Sequence, residues 1–128
     1  MRKQIFLFSA IFWTGVILFL SLENAKNIPV INIAYLDKVI HAVFHFVFTI
    51  LWFLYLKKKF ISSNNVHLLF FTLIGSFVLG IVIELLQQSY TTTRNGDVFD
   101  ILANLFGAFL AAVSIILVNA INGLIDRI

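Results

Sequence analysis

Asp37, His41 and His45 stand four residues apart, and Glu84 and Gln87 stand three apart. Asp97, Asp100 and Asn104 follow at i, i+3 and i+7. On a helix, residues three and four apart share a face, so each set forms one polar row. His, Glu and Asp rows that meet supply proton transfer: His41 and Glu84 are candidate catalytic groups as an acid/base pair, with Asp100 orienting one of them. Asp37, Lys38, Gln87, Arg94, Asp97 and Asn104 are candidate substrate-binding groups around them. Lys38 and Arg94 suit an anionic headgroup, the arginine as a two-pronged fork. Backbone amides opening a helix after Asp97 add positive potential at the same place. His41, Glu84, Asp97 and Asp100 are also chemically suited to a divalent metal. No tight ligand motif accompanies them, so no metal or other cofactor is expected.

These residues have plainer readings beside the chemical one. Asp97 follows Asn95-Gly96 and precedes an apolar run, the pattern of a helix N-cap, with Asp100 completing a variant capping box. Asp37 reads as a cap in the same way. Lys38 and Arg94 suit snorkelling to headgroups, and Gln87 and Asn104 suit interhelical hydrogen bonding. His45 reads as a packed neutral histidine, and His67 as structural. Glu84 resists such a reading, because a carboxylate on an apolar helix needs a partner.

The elements that position these residues are membrane helices. The chain has 128 residues, 61% hydrophobic and 12% charged, with a mean hydropathy of +1.02. Soluble domains carry about a quarter charged residues, so disorder is excluded and a water-soluble globule is not expected. There is no cysteine, which excludes disulfides, thiolate metal sites and a Cys nucleophile. About 18–20 apolar residues cross a bilayer as a helix, and residues 5–22, 39–56, 66–86 and 98–118 provide four such spans. Hydrocarbon leaves backbone groups no water to bond, so the spans are helices despite their many Phe and β-branched residues. The fold expected is an all-α polytopic bundle of four transmembrane helices, one domain over residues 1–128. Ser21-Leu22-Glu23-Asn24-Ala25 offers no small-x-small cleavage site, so the first span reads as retained.

Arg2, Lys3, Lys57, Lys58, Lys59 and Arg127 fall on one side of this topology, and Lys26, Lys38 and Arg94 on the other. The positive-inside rule places both termini in the cytoplasm and the polar rows on the extracytoplasmic side. The basic residues are not interleaved on one face, so nucleic acid is not expected as a partner. Small residues recur on the fourth span at Ala103, Gly107 and Ala111 and on the third at Ser76 and Gly80. They read as close packing of helices three and four.

In its ordered polar set the chain resembles VanZ-like membrane proteins. The resemblance runs through Asp37-Lys38-x-x-His41, Glu84-x-x-Gln87 and Arg94-x-x-Asp97-x-x-Asp100-x-x-x-Asn104-x-x-Gly107. It covers roughly residues 36–111. Thr91-Thr92-Thr93 stands where family members often have Pro or Gly, and Ala111 where a second Gly is frequent. The resemblance implies a small multipass protein of the bacterial cytoplasmic membrane, in a family whose name member is linked to low-level teicoplanin resistance, and it supplies no reaction. From the residues, the expected function is to bind or act on an amphiphile of the outer leaflet, lipid-linked or with an anionic headgroup, with membrane lipids as partners. A non-catalytic polar clasp and a proton-linked transporter are the alternatives.

Overall fold

The computed structural model describes residues 2–23, 33–92 and 95–128. Arg94, and with it Lys26, lies outside the described residues. Five helices follow in order: α1 (Arg2–Leu22), α2 (Leu36–Lys59), α3 (Asn65–Tyr90), α4 (Val98–Asn122) and the short α5 (Leu124–Arg127). No strand occurs among the described residues. The first four are each long and apolar enough to cross a membrane, and the chain is a multipass membrane bundle.

The helices outrun the apolar spans because local chemistry, not hydropathy, sets their ends. Asn64 opens α3 by accepting the Val66 N–H at 2.8 Å, the usual work of an N-cap. Asp97 opens α4 in the same way, through the Phe99 N–H at 2.8 Å. Asp37 caps nothing. The N-cap of α2 is Tyr35, without a side-chain cap bond, and Asp37 lies inside the first turn. Gly123 ends α4 in the left-handed conformation, φ 56°, where a side chain would be strained, and its N–H reaches Asn119 O at 2.8 Å.

The distribution of polarity is inverted relative to a soluble bundle. Phe8, Phe12, Phe70, Phe71, Phe106 and Phe109 point outward, each at least 60% exposed. His41, His45, Thr49, Thr72, Ser76, Glu84, Gln87, Asp100 and Asn104 are buried. Outward apolar side chains suit a lipid solvent, and inward polar ones hold helices together by hydrogen bonds.

Cross-helix pairs fix the topology. Lys38 meets Asp97 and Asp100, His41 meets Asn104, and Ala42 meets Gly107, so α2 and α4 run parallel. Glu84 meets Asp97 while Gly80 meets Asn104, so α3 is antiparallel to α4. The most extensive helix contact is α2 on α4. Its centre is Gly107, where an added Cβ would overlap the Ala42 carbonyl. The small-residue row of α4, with Ala108 and Ala111 wholly buried, therefore serves α2. The close α3/α4 approach expected from the sequence is a secondary one. It is made at Gly80, which leaves room for the Asn104 side chain.

α1 is held on α2 by two indoles. Trp13 Nε1 donates to Phe44 O at 3.0 Å, and Trp52 Nε1 to Thr14 Oγ1 at 3.1 Å. At the end of the bundle away from the polar rows, α5 folds back so that Ile125 joins a core of Phe53, Leu68, Leu69, Ala112 and Ile115. Asp126 there accepts from Asn65 Nδ2 at 2.8 Å and Asn119 Nδ2 at 3.0 Å, and Lys57 lies 3.7 Å away. The amide donors of Asn119 and Asn65 hold its carboxyl below the usual carboxylate range. This knot joins α2, α3 and α4, and it escaped the sequence reading because its members lie at helix ends far apart in the chain, with no spacing that links them.

Candidate functional site

The row on α2 continues one step beyond the expected residues: Asp37, His41, His45 and Thr49, with His41, His45 and Thr49 buried. A spacing of four keeps them stacked, and the facing positions on α3 and α4 are small or polar. His45 Nδ1 lies 2.7 Å from Ser76 Oγ. His41 Nδ1 lies 3.1 Å from Asn104 Oδ1. The close α2/α4 approach at Gly107 is what brings the parallel rows of those helices within hydrogen-bond reach.

Lys38 is the electrostatic centre of the outer turn. Its Nζ is 2.6 Å from Asp97 Oδ2, bonds Asp100 Oδ1 and stands 3.4 Å from Asp37 Oδ2. Asp97 thus works twice, with one oxygen capping α4 and the other on the ammonium. Lys38, followed by the Phe99 amide, holds the Asp97 carboxyl below the usual carboxylate range. An ammonium shared among carboxylates is not free to receive an anion, so the structure gives Lys38 different work from the headgroup contact expected of it.

The carboxylate facing His41 is Asp100, with Asp37 on the other flank. His41 Nε2 stands 3.6 Å from Asp100 Oδ2 and 3.7 Å from Asp37 Oδ1. Glu84, expected as the acid/base partner of His41, instead accepts the Asp97 N–H at 2.7 Å and ties α3 to the start of α4. Its other oxygen is buried and has no partner among the described residues, and the same holds for Asn104 Nδ2. Gln87 donates to Ser21 O at 2.7 Å and ties α3 to α1. Gln88 is exposed and packs over Gly96, where a Cβ would stand 2.5 Å from its Nε2.

A cavity of about 140 Å³ opens beside these groups, lined by Asp37, His41, Gln87, Asn95, Asp97 and Asp100. Every lining residue is polar. Asn95 was missed by sequence reasoning, because Asn-Gly signals only a turn. A larger groove of about 690 Å³ lies at the other end of α2 and α3, lined by Leu56, Phe60, Ser62, Ser63, Asn64, His67, Leu68 and Phe71. His67 is its one titratable lining residue.

No family model, no curated protein and no solved structure matches this chain.

The arrangement can accept protons and hydrogen bonds. An amide oxygen only accepts, so Asn104 Oδ1 takes the N–H of His41 Nδ1, and Nε2 is the ring nitrogen that faces Asp37 and Asp100. Asn104 thus fixes the orientation of the His41 ring, between two carboxylates that can stabilise a positive charge on it.

Proposed function

We propose that the chain is a VanZ-like multipass protein of the bacterial cytoplasmic membrane, and that its polar pocket takes the headgroup of an outer-leaflet amphiphile. The polar cavity of about 140 Å³ at one end of an otherwise apolar bundle carries this reading. A structural clasp would satisfy its members and close on itself. Here a cavity remains, and the buried Glu84 Oε1 and Asn104 Nδ2 lack partners among the described residues. Proton transport is disfavoured because the polar rows stop at Thr49 and Thr72, and the core around Phe53, Leu68 and Leu69 follows.

The headgroup meets acceptors first. Asp37, His41, Asp97 and Asp100 line the pocket that takes it, and Gln87 and Asn95 complete the rim. The test is organic extraction of the purified protein and mass spectrometry of what co-purifies. The wild type retains an amphiphile that Asp37→Asn and Asp100→Asn lose. Glu84→Gln, whose amide oxygen still accepts the Asp97 N–H, keeps it. Identical extracts from wild type and the two aspartate variants would overturn the reading.

The orientation assigned to the chain follows from its six-to-three split of basic residues: Arg2, Lys3, Lys57, Lys58, Lys59 and Arg127 against Lys26, Lys38 and Arg94. A Lys58→Cys variant is expected to resist membrane-impermeant thiol reagents in intact cells and to react once the cells are opened. Labelling in intact cells would reverse the orientation and move the pocket to the inner leaflet.

A further inference from the structure

Three electron-rich atoms face one another at the mouth of the pocket. His41 Nε2 is 3.7 Å from Asp37 Oδ1 and 3.6 Å from Asp100 Oδ2, and all three atoms lie within 4.8 Å of one another. His41 and Asp100 are 5% and 6% exposed, yet both line the cavity. Asn104 Oδ1 engages the other ring nitrogen, His41 Nδ1, so Nε2 is the one turned to the two carboxylates. Lys38 holds Asp100 through Oδ1, and Asp100 Oδ2 faces the imidazole. Two carboxylate oxygens and an imidazole nitrogen that converge in this way are a set of ligand atoms that a cation can bridge.

We infer that Asp37 Oδ1, His41 Nε2 and Asp100 Oδ2 form a site for one divalent cation of the Mn²⁺ or Zn²⁺ class. The inference rests on the pocket being a ligand site. Metal bonds of roughly 2.0–2.6 Å set neighbouring ligand atoms about 3–4 Å apart, which is the spacing of His41 Nε2 from each carboxylate oxygen. Two carboxylate oxygens and one imidazole nitrogen suit ions of this class. Asn104 supplies the outer support that ligating histidines commonly have, a carbonyl accepting the second ring N–H.

Charge and space agree with this occupant. Asp37, Asp97 and Asp100 surround Lys38, and three carboxylates against one ammonium leave an excess of negative charge that a cation offsets. Lys38 holds Asp100 by Oδ1, so Oδ2 remains for the ion. The open coordination positions face the cavity, where about 140 Å³ accommodates water or a ligand oxygen. The ion gives the pocket the positive charge that Lys38, engaged by carboxylates, does not offer. A phosphate or carboxylate headgroup is then bound through the metal.

The test is equilibrium dialysis of the full chain in detergent, stripped with a chelator and returned to Zn²⁺ or Mn²⁺ alone, with no added amphiphile. One ion per chain is expected, and binding at least about tenfold weaker in His41→Ala and Asp100→Asn. His67→Ala, at the far groove, binds as the wild type does. Asp37→Asn alters an exposed carboxylate and carries the test where a buried variant fails to fold, as judged by its melting. No stoichiometric ion, or binding unchanged in Asp37→Asn, overturns the inference. Amphiphile retention by metal-free protein would overturn the metal-linked headgroup contact and leave the headgroup site standing. A bound ion with no amphiphile retained supports the cation site and overturns the headgroup reading.

Discussion

Gly107→Ala will unfold or mispack the bundle, although it adds a single methyl group to a good helix former. The added Cβ would overlap the backbone carbonyl of Ala42, and backbone, unlike the tip of a side chain, cannot swing aside. The helices must separate, and the contact they lose is the most extensive in the molecule. Overpacking costs about 1–3 kcal/mol where neighbours adjust, and more where they cannot. A loss of about 3 kcal/mol or more is expected here, enough to lower the folded-to-unfolded ratio by roughly a hundredfold. Gly75→Ala is the contrasting case, because nothing lies within 4 Å of its added Cβ. That variant should be neutral or gain up to about 1 kcal/mol from helix propensity. Melting of both variants in the same detergent checks the pair, and equal melting temperatures would contradict the packing assigned to α2 and α4.

Lys38→Met is expected to be the most damaging change among the charged residues. The methionine keeps much of the volume and removes the charge that Asp97 and Asp100 share. The Asp100 side chain is 8% exposed and the Lys38 side chain 30%. Removing one partner of a fully buried pair costs about 3–5 kcal/mol, because the other charge is left unpaired. Partial exposure of Lys38 lowers that to about 2–4 kcal/mol. The double variant Lys38→Met/Asp100→Asn should recover much of the loss, and the difference between single and double variants measures the coupling. The wild type should also be acid-sensitive in a defined direction. Asp97 has its folded pKa depressed by Lys38, so the stability it contributes is present above the ordinary carboxylate range. That stability is lost as pH falls through the lower folded value. Lys38→Met should flatten this acid limb of the melting curve. An unchanged limb would mean that the Lys38–Asp97 contact adds nothing to folding.

The four membrane helices were legible from hydropathy, because in lipid a long apolar run has one solution. The polar rows were legible from their spacing, since a period of four on a helix admits no other face. What was not legible was who faces whom across helices. Asp100 and Glu84 are both carboxylates near a helix end, and spacing does not tell which one reaches His41. That depends on the Ala42–Gly107 contact, which sets how far α4 slides along α2. The role of Gly107 was hidden for the same reason: a small residue announces a close approach and not its partner. Lys38 and Asp97 were read singly, as an anion contact and a cap, whereas the ion pair joins residues 59 positions apart. The knot at Asp126 needed α5, a single turn too short to show a hydrophobic period.

The knot at Asp126 also bears on how the molecule moves. Asn65, Asn119 and Lys57 are gathered there by one carboxylate, and Ile125 plugs the core directly above. The bundle is therefore clamped at one end like a pair of tweezers at its rivet. The opposite tips, the first turns of α2 and α4, are fastened differently, by the Lys38 ammonium between Asp97 and Asp100. A ligand that competes for those carboxylates works on a fastening separate from the rivet, and its arrival leaves the rivet undisturbed.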